Sequence, residues 1–513
     1  MCGIVCFVGE VELDHVIDEV RNRGPSYQGQ YSTDGITFYS SVLSLRPPFT
    51  RQPVVQDGRV LAFNGELYNG GIDNDTDYFM HTVREKGVLA ALQEVRGEYA
   101  FVYYDQESIW FARDFIGRRS LLYREPNDDQ QLVISSVVPS AELDEYKEVP
   151  GGVVMRYNVQ NKRLVQMNWT YQGSEYGLKL PYSPISRVTE SLSGIEDKTA
   201  ELEALFRQAV DRRVNNIYFN PGPQGNAGLA DNSNCTESDI AIMFSGGLDC
   251  TLLAAMVDKV LDKSRTVDLF NVAFENKRTG GGYSTPDRQL GWQSFKELNS
   301  RSGTGRFRFV EINVPFEETM AHRPRVEALM FPKDSVMDLS IALAFYFVSR
   351  GQGKLYDSPD NCINHDYSTK AHVLLSGLGA DELFGGYTRH STKLTQVGYP
   401  GLAEELDLDF GRLHERNLGR DDRVSACWGR EVRYPFLDEQ FVAWALQCPL
   451  NYKVLDDQGK LGTKYILRQL ARKQGLELVS KELKRAIQFG ARSAKMEIGQ
   501  GKIKGHEKLG TSS

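Results

Sequence analysis

The sequence Ile240-Ala241-Ile242-Met243-Phe244-Ser245-Gly246-Gly247-Leu248-Asp249 is an apolar run that ends in two glycines and an aspartate. The apolar run predicts a buried strand, and the residues from Leu252 onward predict a helix. Glycines between a strand and a helix expose consecutive backbone N–H groups at the positive end of the helix, which suits phosphate oxygens. The pattern is not GxxxxGK[ST], so it does not indicate chemistry at a γ-phosphate. A plain strand-to-helix turn is the alternative interpretation.

The segments that follow alternate between predicted strands and predicted helices. The strands are predicted at Val267–Phe274, Phe307–Val314 and His372–Leu375, and the helices at Gln289–Arg301 and Ser335–Arg350. This alternation is typical of a doubly wound parallel sheet. The strand ending at Leu375 is followed by Ser376-Gly377-Leu378-Gly379-Ala380-Asp381-Glu382, a second glycine-rich turn with carboxylates. Two such turns at neighbouring strand ends form a crevice, the expected ligand position.

The amino-terminal part of the chain has a different pattern. Short β-like runs broken by Gly, Asn, Asp and Pro extend to about residue 175, with one helical stretch at Asp77–Val95. This spacing predicts stacked antiparallel sheets. Residues 170–196 have the composition of a linker, and residues 390–490 are predicted to be mostly helical. We therefore predict two domains, residues 2–175 and residues 196–490, the second an α/β domain with a helical carboxy-terminal part.

The composition restricts the classes of function. The chain has 513 residues, of which 41% are hydrophobic and 25% charged, with a net charge of −8. These values are typical of a globular protein without a broad basic face for nucleic acid. No apolar run is long enough for a transmembrane helix, and the first residues lack the pattern of a signal peptide. The seven cysteines are scattered, without the spacing of a zinc site or disulfide framework, so we expect a cytoplasmic protein.

Cys2 follows the initiator Met, and a residue of this size allows the Met to be removed. The chain would then begin with a thiol beside a free α-amine, which can act as the base for that thiol. Four motifs follow: Arg21-Asn22-Arg23-Gly24-Pro25, Phe63-Asn64-Gly65-Glu66-Leu67-Tyr68-Asn69, Asn74-Asp75-Thr76-Asp77 and Ala112-Arg113-Asp114-Phe115-Ile116-Gly117-Arg118. Together with Cys2 they resemble the class II glutamine amidotransferase domain over most of residues 2–155. The resemblance implies an amino-terminal nucleophile fold of four layers, αββα.

The amidotransferase resemblance implies a role for each matching residue. The Cys2 thiolate would attack the side-chain amide of glutamine and release ammonia. Asn64 and the backbone N–H of Gly65 would form the oxyanion hole, aimed where negative charge develops. Glu66 and Asp75 would hold the α-amino group of glutamine. An Asn-Gly pair taken alone is also consistent with a hairpin turn.

The second half of the chain resembles the asparagine synthetase domain over about residues 200–490. The two glycine-rich turns and Gly429-Arg430-Glu431-Val432-Arg433-Tyr434-Pro435-Phe436-Leu437-Asp438 carry this resemblance, which is nearest to the subgroup of asparagine synthetase domain-containing proteins. It implies that ATP is cleaved between its α- and β-phosphates, that Asp249 and Asp381 coordinate Mg²⁺, and that Lys464 neutralises charge as an acyl adenylate forms. The implied ATP-binding residues are Phe244, Ser245, Gly246, Gly247, Asp249, Val272, Ser376 and Gly377.

The sequence departs from the family patterns at three positions. The arginine that grips the glutamine α-carboxylate in the family is Val42 here, so Arg46 is the candidate replacement, since a carboxylate favours a guanidinium partner. Without it, glutamine binding would be weak. The serine of the phosphate loop is Cys250, and a glutamate of the second turn is Leu378. Because leucine cannot transfer a proton, adenylation or amide formation would be slower, use water, or be lost.

Three further groups are open to more than one interpretation. Gly419–Arg423 is polar and would either cover the adenylate site or begin a helix. Asp334 and Asp338 lie four residues apart and could share a helix face near the substrate, although a solvated or capping role is favoured. Arg118 and Arg119 are predicted to bind their own domain or the partner domain.

The sequence as a whole predicts a glutamine-dependent, ATP-using amide synthetase. Its substrates would be glutamine, ATP and most simply aspartate, and its products asparagine, glutamate, AMP and pyrophosphate. A homodimer is allowed, and neither nucleic acid nor a membrane is expected as a partner. One alternative is a relative that adenylates a different carboxylate. The other is a non-catalytic or glutaminase-only regulatory descendant, which Val42 and Leu378 favour and the otherwise intact sites disfavour.

Overall fold

The computed structural model describes residues 2–9, 14–126, 131–138, 145–215, 217–218, 238–457, 460–494, 496 and 505–509. Two antiparallel sheets lie in the amino-terminal part, and a mixed sheet surrounded by helices lies in the carboxy-terminal part. Within the described ranges, no helix combines the length and the apolar character that crossing a membrane requires.

Two six-stranded sheets form the amino-terminal part. Their strands are β1 (Gly3–Val8), β2 (Tyr27–Thr33), β3 (Ile36–Val42), β4 (Val54–Gln56), β5 (Arg59–Leu67), β6 (Gly97–Tyr104), β7 (Ser108–Arg113), β8 (Leu122–Arg124), β9 (Val133–Ser135), β10 (Tyr146–Glu148), β11 (Val153–Asn158) and β12 (Arg163–Asn168). The first sheet has the order β10-β8-β9-β1-β3-β2, and the second has the order β12-β11-β7-β6-β5-β4.

The two sheets pack face to face, and each is covered by helix on its outer side. Helix α1 (Asp14–Arg23) packs on β1 and β3, whereas α2 (Asp75–Lys86), followed by α3 (Val88–Glu94), packs on β5. This is the predicted four-layer αββα arrangement. The single helix predicted at Asp77–Val95 is in fact two, because Gly87 adopts a φ of 78°, outside the helical region, and ends α2.

Strand β5 shows how its sequence fits this position between layers. Val60 and Ala62 pack between the sheets, whereas Leu61 and Phe63 pack with the buried residues of α2. Successive side chains of a strand point to opposite faces, so a sheet covered on both sides has apolar residues at nearly every position.

The carboxy-terminal part consists of strands and helices in alternation, then helices alone. Its strands are β13 (Ile240–Met243), β14 (Val267–Phe274), β15 (Phe307–Val314), β16 (Gln352–Ser358), β17 (Asn361–Ser368), β18 (Val373–Leu375), β19 (Glu431–Arg433), β20 (Val454–Asp457) and β21 (Lys460–Thr463). Its helices are α4 (Ile195–Val214), α5 (Leu248–Val260), α6 (Pro286–Ser302), α7 (Phe316–Leu329), α8 (Val336–Arg350), α9 (Ala380–Phe384), α10 (Thr388–Val397), α11 (Tyr399–Gly411), α12 (Gly419–Ala426), α13 (Glu439–Gln447), α14 (Leu450–Lys453), α15 (Tyr465–Lys473), α16 (Glu477–Lys481) and α17 (Ile487–Gly490).

The main sheet of this part has the strand order β17-β16-β15-β14-β13-β18-β19. The five strands from β15 to β19 in that order are parallel, which confirms the predicted doubly wound sheet. From β13 the chain adds strands first on one side and then on the other, so the switch point of the sheet lies between β13 and β18. The antiparallel hairpin β16–β17 at the edge is not predicted, because its residues are polar and largely exposed.

Candidate active sites

Cys2 lies immediately before β1 and next to Asn64 of β5. Its backbone N–H donates to Oδ1 of Asn64 at 2.8 Å, and its carbonyl oxygen accepts from Nε of Arg23 at 3.3 Å. The Nε2 of Gln52 lies 3.8 Å from its sulfur. The side chain is buried, and burial raises the pKa of the Cys2 thiol. Because the thiolate is the reactive form, this thiol needs a base close to it.

Asn64 has a donor that the described residues do not use. Its Oδ1 accepts from Cys2, whereas its buried Nδ2 has no hydrogen-bond partner in the described part of the chain. A ligand oxygen would satisfy this donor. The next residue, Gly65, lies where an ideal Cβ would be 2.3 Å from the carbonyl oxygen of Glu98, so only glycine allows β6 to approach this closely. The two residues predicted for the oxyanion hole are therefore adjacent to Cys2.

The residues predicted to bind glutamine form one ion cluster. Nη1 of Arg46 donates to Oδ1 of Asp75 at 2.9 Å, and its Nη2 lies 3.3 Å from Oε2 of Glu66. Burial, and next the Glu66 carboxylate, raise the pKa of Asp75, and Arg46 opposes the rise. Val42 is buried at the end of β3. Val42 has no charged group, so Arg46 supplies the guanidinium of this cluster.

The second candidate site lies in a cavity of about 400 Å³, which we call the second cavity. It opens where β13 and β18 end, at the switch point of the sheet. Nine of the residues predicted for ATP, metal and catalysis line it: Phe244, Ser245, Gly247, Asp249, Val272, Ser376, Gly377, Asp381 and Lys464. Gly246 is the predicted residue that does not line the cavity. It makes the turn instead, with a φ of 79° and an ideal Cβ position 2.5 Å from the backbone of Gly291.

Lys464 holds two carboxylates together at one end of this cavity. Its Nζ lies 2.6 Å from Oδ2 of Asp249 and 2.6 Å from Oδ1 of Asp381. Lys484, which the sequence analysis does not single out, contacts the other oxygen of Asp381. Burial alone would raise the pKa of Asp381, but Lys464 and Lys484 lower it below its ordinary value. Lys464 itself has a φ of 52°, an uncommon conformation outside glycine that is found at functional sites.

Asp249 and Asp381 would bind Mg²⁺ only together with phosphate ligands. Oδ1 of Asp249 is buried and has no hydrogen-bond partner within the described ranges, so it is available to a cation. The described residues contain no group of three or more metal-binding side chains. Magnesium ions in nucleotide sites are held by one or two carboxylates and by the phosphates of the substrate. The two carboxylates fit an ion that arrives with a nucleotide.

Comparison with protein families matches both parts of the chain. Residues 1–150 match a model described as a glutamine amidotransferase domain, and residues 235–401 and 394–495 match a model described as asparagine synthase. The chain belongs to the asparagine synthase family.

Relatives in this asparagine synthase family are similar over nearly the whole chain. An asparagine synthetase domain-containing protein of Saccharomyces cerevisiae is 39% identical over 94% of this chain and 89% of its own length. Asparagine synthetase domain-containing protein 1 of Mus musculus is 32% identical over 97% of each chain, and the protein of the same name from Homo sapiens is 30% identical over 97% of this chain and 96% of its own length.

Two departures from the asparagine synthase pattern lie in the second cavity. Leu378 lines the cavity, and its backbone N–H donates to Oγ of Ser376 at 3.3 Å. It offers no group that could transfer a proton. Cys250 also lines the cavity, and its sulfur lies 3.5 Å from Oγ of Ser245 and donates to the carbonyl oxygen of Gly247 at 3.4 Å. Cys250 therefore contacts the glycine-rich turn at both Ser245 and Gly247.

Buried ion pairs and hydrogen bonds join the two parts of this chain. Arg118 donates to the carbonyl oxygen of Leu437 at 2.8 Å, and Arg119 donates to that of Val432 at 2.6 Å. Both arginines therefore contact the carboxy-terminal part of the chain. Arg433, not assigned a role from the sequence, lies 2.9 Å from Oε1 of Glu66.

Arg433 also contacts the strand ends that form the second cavity. Its Nε donates to Oε1 of Glu431 at 2.7 Å, and its carbonyl oxygen accepts from the N–H of Ser376 at 3.0 Å. One residue therefore contacts Glu66 of the first cluster and Ser376 of the second cavity.

Proposed function

We propose that the chain is a glutamine-dependent, ATP-using amide synthetase with domains at residues 2–175 and 196–490. The first domain would release ammonia from glutamine, and the second would join it to a carboxylate activated by ATP. The observation that carries the proposal is the presence of two reactive groupings in one chain. These are Cys2 beside the amide donor of Asn64, which has no partner among the described residues, and Lys464 between Asp249 and Asp381 at a nucleotide-sized cavity.

Glutamine hydrolysis would begin with transfer of the Cys2 thiol proton to the α-amine that removal of Met1 exposes. The thiolate sulfur attacks the amide carbon, and the carbonyl π electrons move to oxygen. Nδ2 of Asn64 and the N–H of Gly65 would stabilise that oxyanion. The C–N bond then breaks as nitrogen takes the proton, which gives ammonia and a thioester that water hydrolyses to glutamate.

The Arg46, Glu66 and Asp75 cluster would bind the other end of glutamine. The Arg46 guanidinium would bind the α-carboxylate of glutamine, and the Glu66 and Asp75 carboxylates would bind its α-ammonium group. Before glutamine binds, Arg46 is an ion-pair partner of both carboxylates. Because glutamine brings one charge of each sign, binding would exchange these ion pairs without leaving a buried charge unpaired.

Activation would take place in the second cavity. The Ser245–Gly247 turn would bind the phosphates of ATP, because its N–H groups lie at the amino-terminal end of α5. A carboxylate oxygen of the acceptor attacks the α-phosphorus, and pyrophosphate leaves with the bonding electrons. Lys464 would neutralise the charge that develops. Asp249 and Asp381 would hold Mg²⁺, which would neutralise the leaving pyrophosphate when bound.

We propose aspartate as the acceptor and asparagine, glutamate, AMP and pyrophosphate as the products, in a cytoplasmic setting. The family match supports this choice, as do two further arginines that line the cavity and suit a carboxylate, Arg468 and Arg485. A second candidate is a glutaminase-only protein, which Leu378 favours because it removes a proton-transferring group from the cavity.

The test is to incubate the protein with amide-¹⁵N glutamine, ATP, Mg²⁺ and aspartate and to analyse asparagine by mass spectrometry. We expect ¹⁵N-asparagine, none of it with Cys2→Ala, and restored asparagine formation when that variant receives ammonium chloride. Chelation of Mg²⁺ should stop asparagine formation and leave glutamate release unchanged. Glutamate without asparagine under all conditions would reject the synthetase and support the second candidate.

A further inference from the structure

Three of the charged side chains that line the second cavity form a cluster of their own. They are Asp338 of α8 and Arg420 and Asp421 of α12. Nε and Nη2 of Arg420 each lie 2.9 Å from Oδ1 of Asp421, and Nη1 of Arg420 donates to Oδ1 of Asp338 at 2.7 Å. One guanidinium thus binds two carboxylates, and the cluster keeps one net negative charge. The segment Gly419–Arg423 begins α12 without a side-chain cap, and two of its residues, Arg420 and Asp421, line the cavity.

The two carboxylates of this cluster differ in how their second oxygen is bound. Oδ2 of Asp338 accepts from Oγ of Ser335 at 2.5 Å. Oδ2 of Asp421 is buried and has no hydrogen-bond partner among the residues that the structure describes. Buried carboxylate oxygens nearly always have partners, so an exception needs an explanation. A substrate atom that donates a hydrogen in the cavity would provide the missing partner.

Asp421 lies on the side of the cavity that faces the amidotransferase part. The next residue of α12, Asp422, accepts from Nη2 of Arg23 at 2.7 Å and from the N–H of Ser120 at 3.2 Å. Arg23 in turn donates to the carbonyl oxygen of Cys2. Because consecutive helix residues point in different directions, α12 presents Asp422 to the first domain and Asp421 to the cavity.

Attack of ammonia on an acyl adenylate produces a proton that must leave the nitrogen. The nitrogen lone pair forms the new C–N bond, and the nitrogen becomes positively charged until a base accepts one of its protons. Leu378 cannot act as this base. A base within hydrogen-bond distance would speed the step by roughly a hundredfold or more.

We propose that Oδ2 of Asp421 is the proton acceptor for amide formation, an inference that rests on the proposed function. Ammonia attacks the acyl carbon, and the carbonyl π electrons move to oxygen. Asp421 removes a proton from the new ammonium group, the C=O bond re-forms, and AMP leaves with the electrons of its C–O bond. Asp421 then releases the proton to solvent after the amide departs.

The surroundings of Asp421 suit this role. Burial raises the pKa of Asp421 to about 6, with Arg420 opposing the rise, so the carboxylate is both ionised and basic near neutral pH. Arg420 binds Oδ1 of Asp421 through two nitrogens, and Oδ2 takes no part in this ion pair.

Glu382 is the rival base, because it also lines the cavity and its buried Oε2 has no hydrogen-bond partner in the described ranges. It adjoins Asp381, however, and its Oε1 accepts from the hydroxyl of Tyr387 at 2.5 Å. Glu382 therefore lies near Lys464 and Lys484, which would bind phosphate. Asp421, in contrast, lies near the domain that would release ammonia.

The experiment compares Asp421→Asn and Glu382→Gln with the unchanged protein in three assays. These are glutamate release from glutamine, aspartate-dependent exchange of labelled pyrophosphate into ATP, and asparagine formation from ammonium chloride. For Asp421→Asn we expect the first two rates within about threefold of normal and asparagine formation at least about a hundredfold slower. Retained exchange shows that the variant is folded.

Asp338→Asn is the matched control, since it removes a charge from the same guanidinium, and should slow asparagine formation far less. Asp421→Glu keeps a carboxylate and should recover part of the lost rate. Normal asparagine formation in Asp421→Asn, or a loss confined to Glu382→Gln, would reject Asp421 as the base while the synthetase stands. Absence of aspartate-dependent exchange in the unchanged protein would reject the proposed function and this inference with it.

Discussion

At the scale of single residues, Asn64 combines two contacts that a substitution can separate. Its Oδ1 accepts from the N–H of Cys2, and its Nδ2 is left for a substrate oxygen. Asn64→Asp keeps the acceptor and loses the donor, so we expect the kcat of glutamate release to fall by roughly a hundred- to thousandfold. Asparagine formation from ammonium chloride should stay unchanged and is the control. A fall of less than about threefold would exclude Asn64 from the oxyanion hole.

We expect substitution of Lys464 to slow only the reaction in the second cavity. Replacing it by Met would leave Asp249 and Asp381 facing each other with less positive charge between them. We expect pyrophosphate exchange to fall by roughly a hundredfold or more, because the charge developing on the phosphates loses its partner. Glutamate release should persist. Lys464→Arg, which keeps the charge in a different shape, should retain more exchange than Lys464→Met, and equal loss in both would show that charge is not the cause.

At the scale of elements, the start of α2 positions Asp75, a member of the ion cluster that we propose binds glutamine. Oδ1 of Asn74 caps the helix by accepting from the N–H groups of Thr76 and Asp77 at 3.0 and 3.1 Å, and Asp75 is the first helical residue. Asn74→Ala should lower the free energy of unfolding by about 1 kcal/mol. Because Asp75 would then be less well fixed, the KM for glutamine should rise more than kcat falls. Asn74→Asp keeps the capping oxygen and should behave nearly as the unchanged protein in urea unfolding and glutaminase assays.

At the scale of the whole molecule, the two parts share a buried charge network centred on Arg433. Its guanidinium contacts Glu66 and Glu431, and all three side chains are almost fully buried. Arg433→Met would leave two carboxylates without this partner, so we expect a loss of about 3–5 kcal/mol in the free energy of unfolding. The matched control is Lys481→Met, which breaks the exposed pair with Glu477 and should have no measurable effect. Equal urea midpoints for the two variants would contradict the role of Arg433.

The stacked sheets of the first part and the parallel sheet of the second were accessible from the sequence because their signals are local, whereas the four-layer αββα order came from the family resemblance. The apolar run at residues 240–243 and the alternation that follows specify a parallel sheet, since each strand and helix shows its own periodicity within a short window. The hairpin β16–β17 was missed for the same reason. Its strands are polar and exposed, so they carry no apolar period, and only pairing with β15 makes them part of the sheet.

The sequence by itself determined the stacked and the parallel sheets, the glycine-rich turn after β13, and the grouping of Asn64 with Gly65, because these depend on neighbours along the chain. The tertiary structure alone decided which distant charges meet. Arg46 joins Asp75, Lys484 joins Asp381, Arg433 joins Glu66, and Asp421 lines the cavity with one oxygen that no described residue binds. The chain has 60 Lys and Arg and 68 Asp and Glu residues, so residue type does not identify partners. Pairing of buried charges follows from packing, which places a few of them within about 4 Å of each other and away from water.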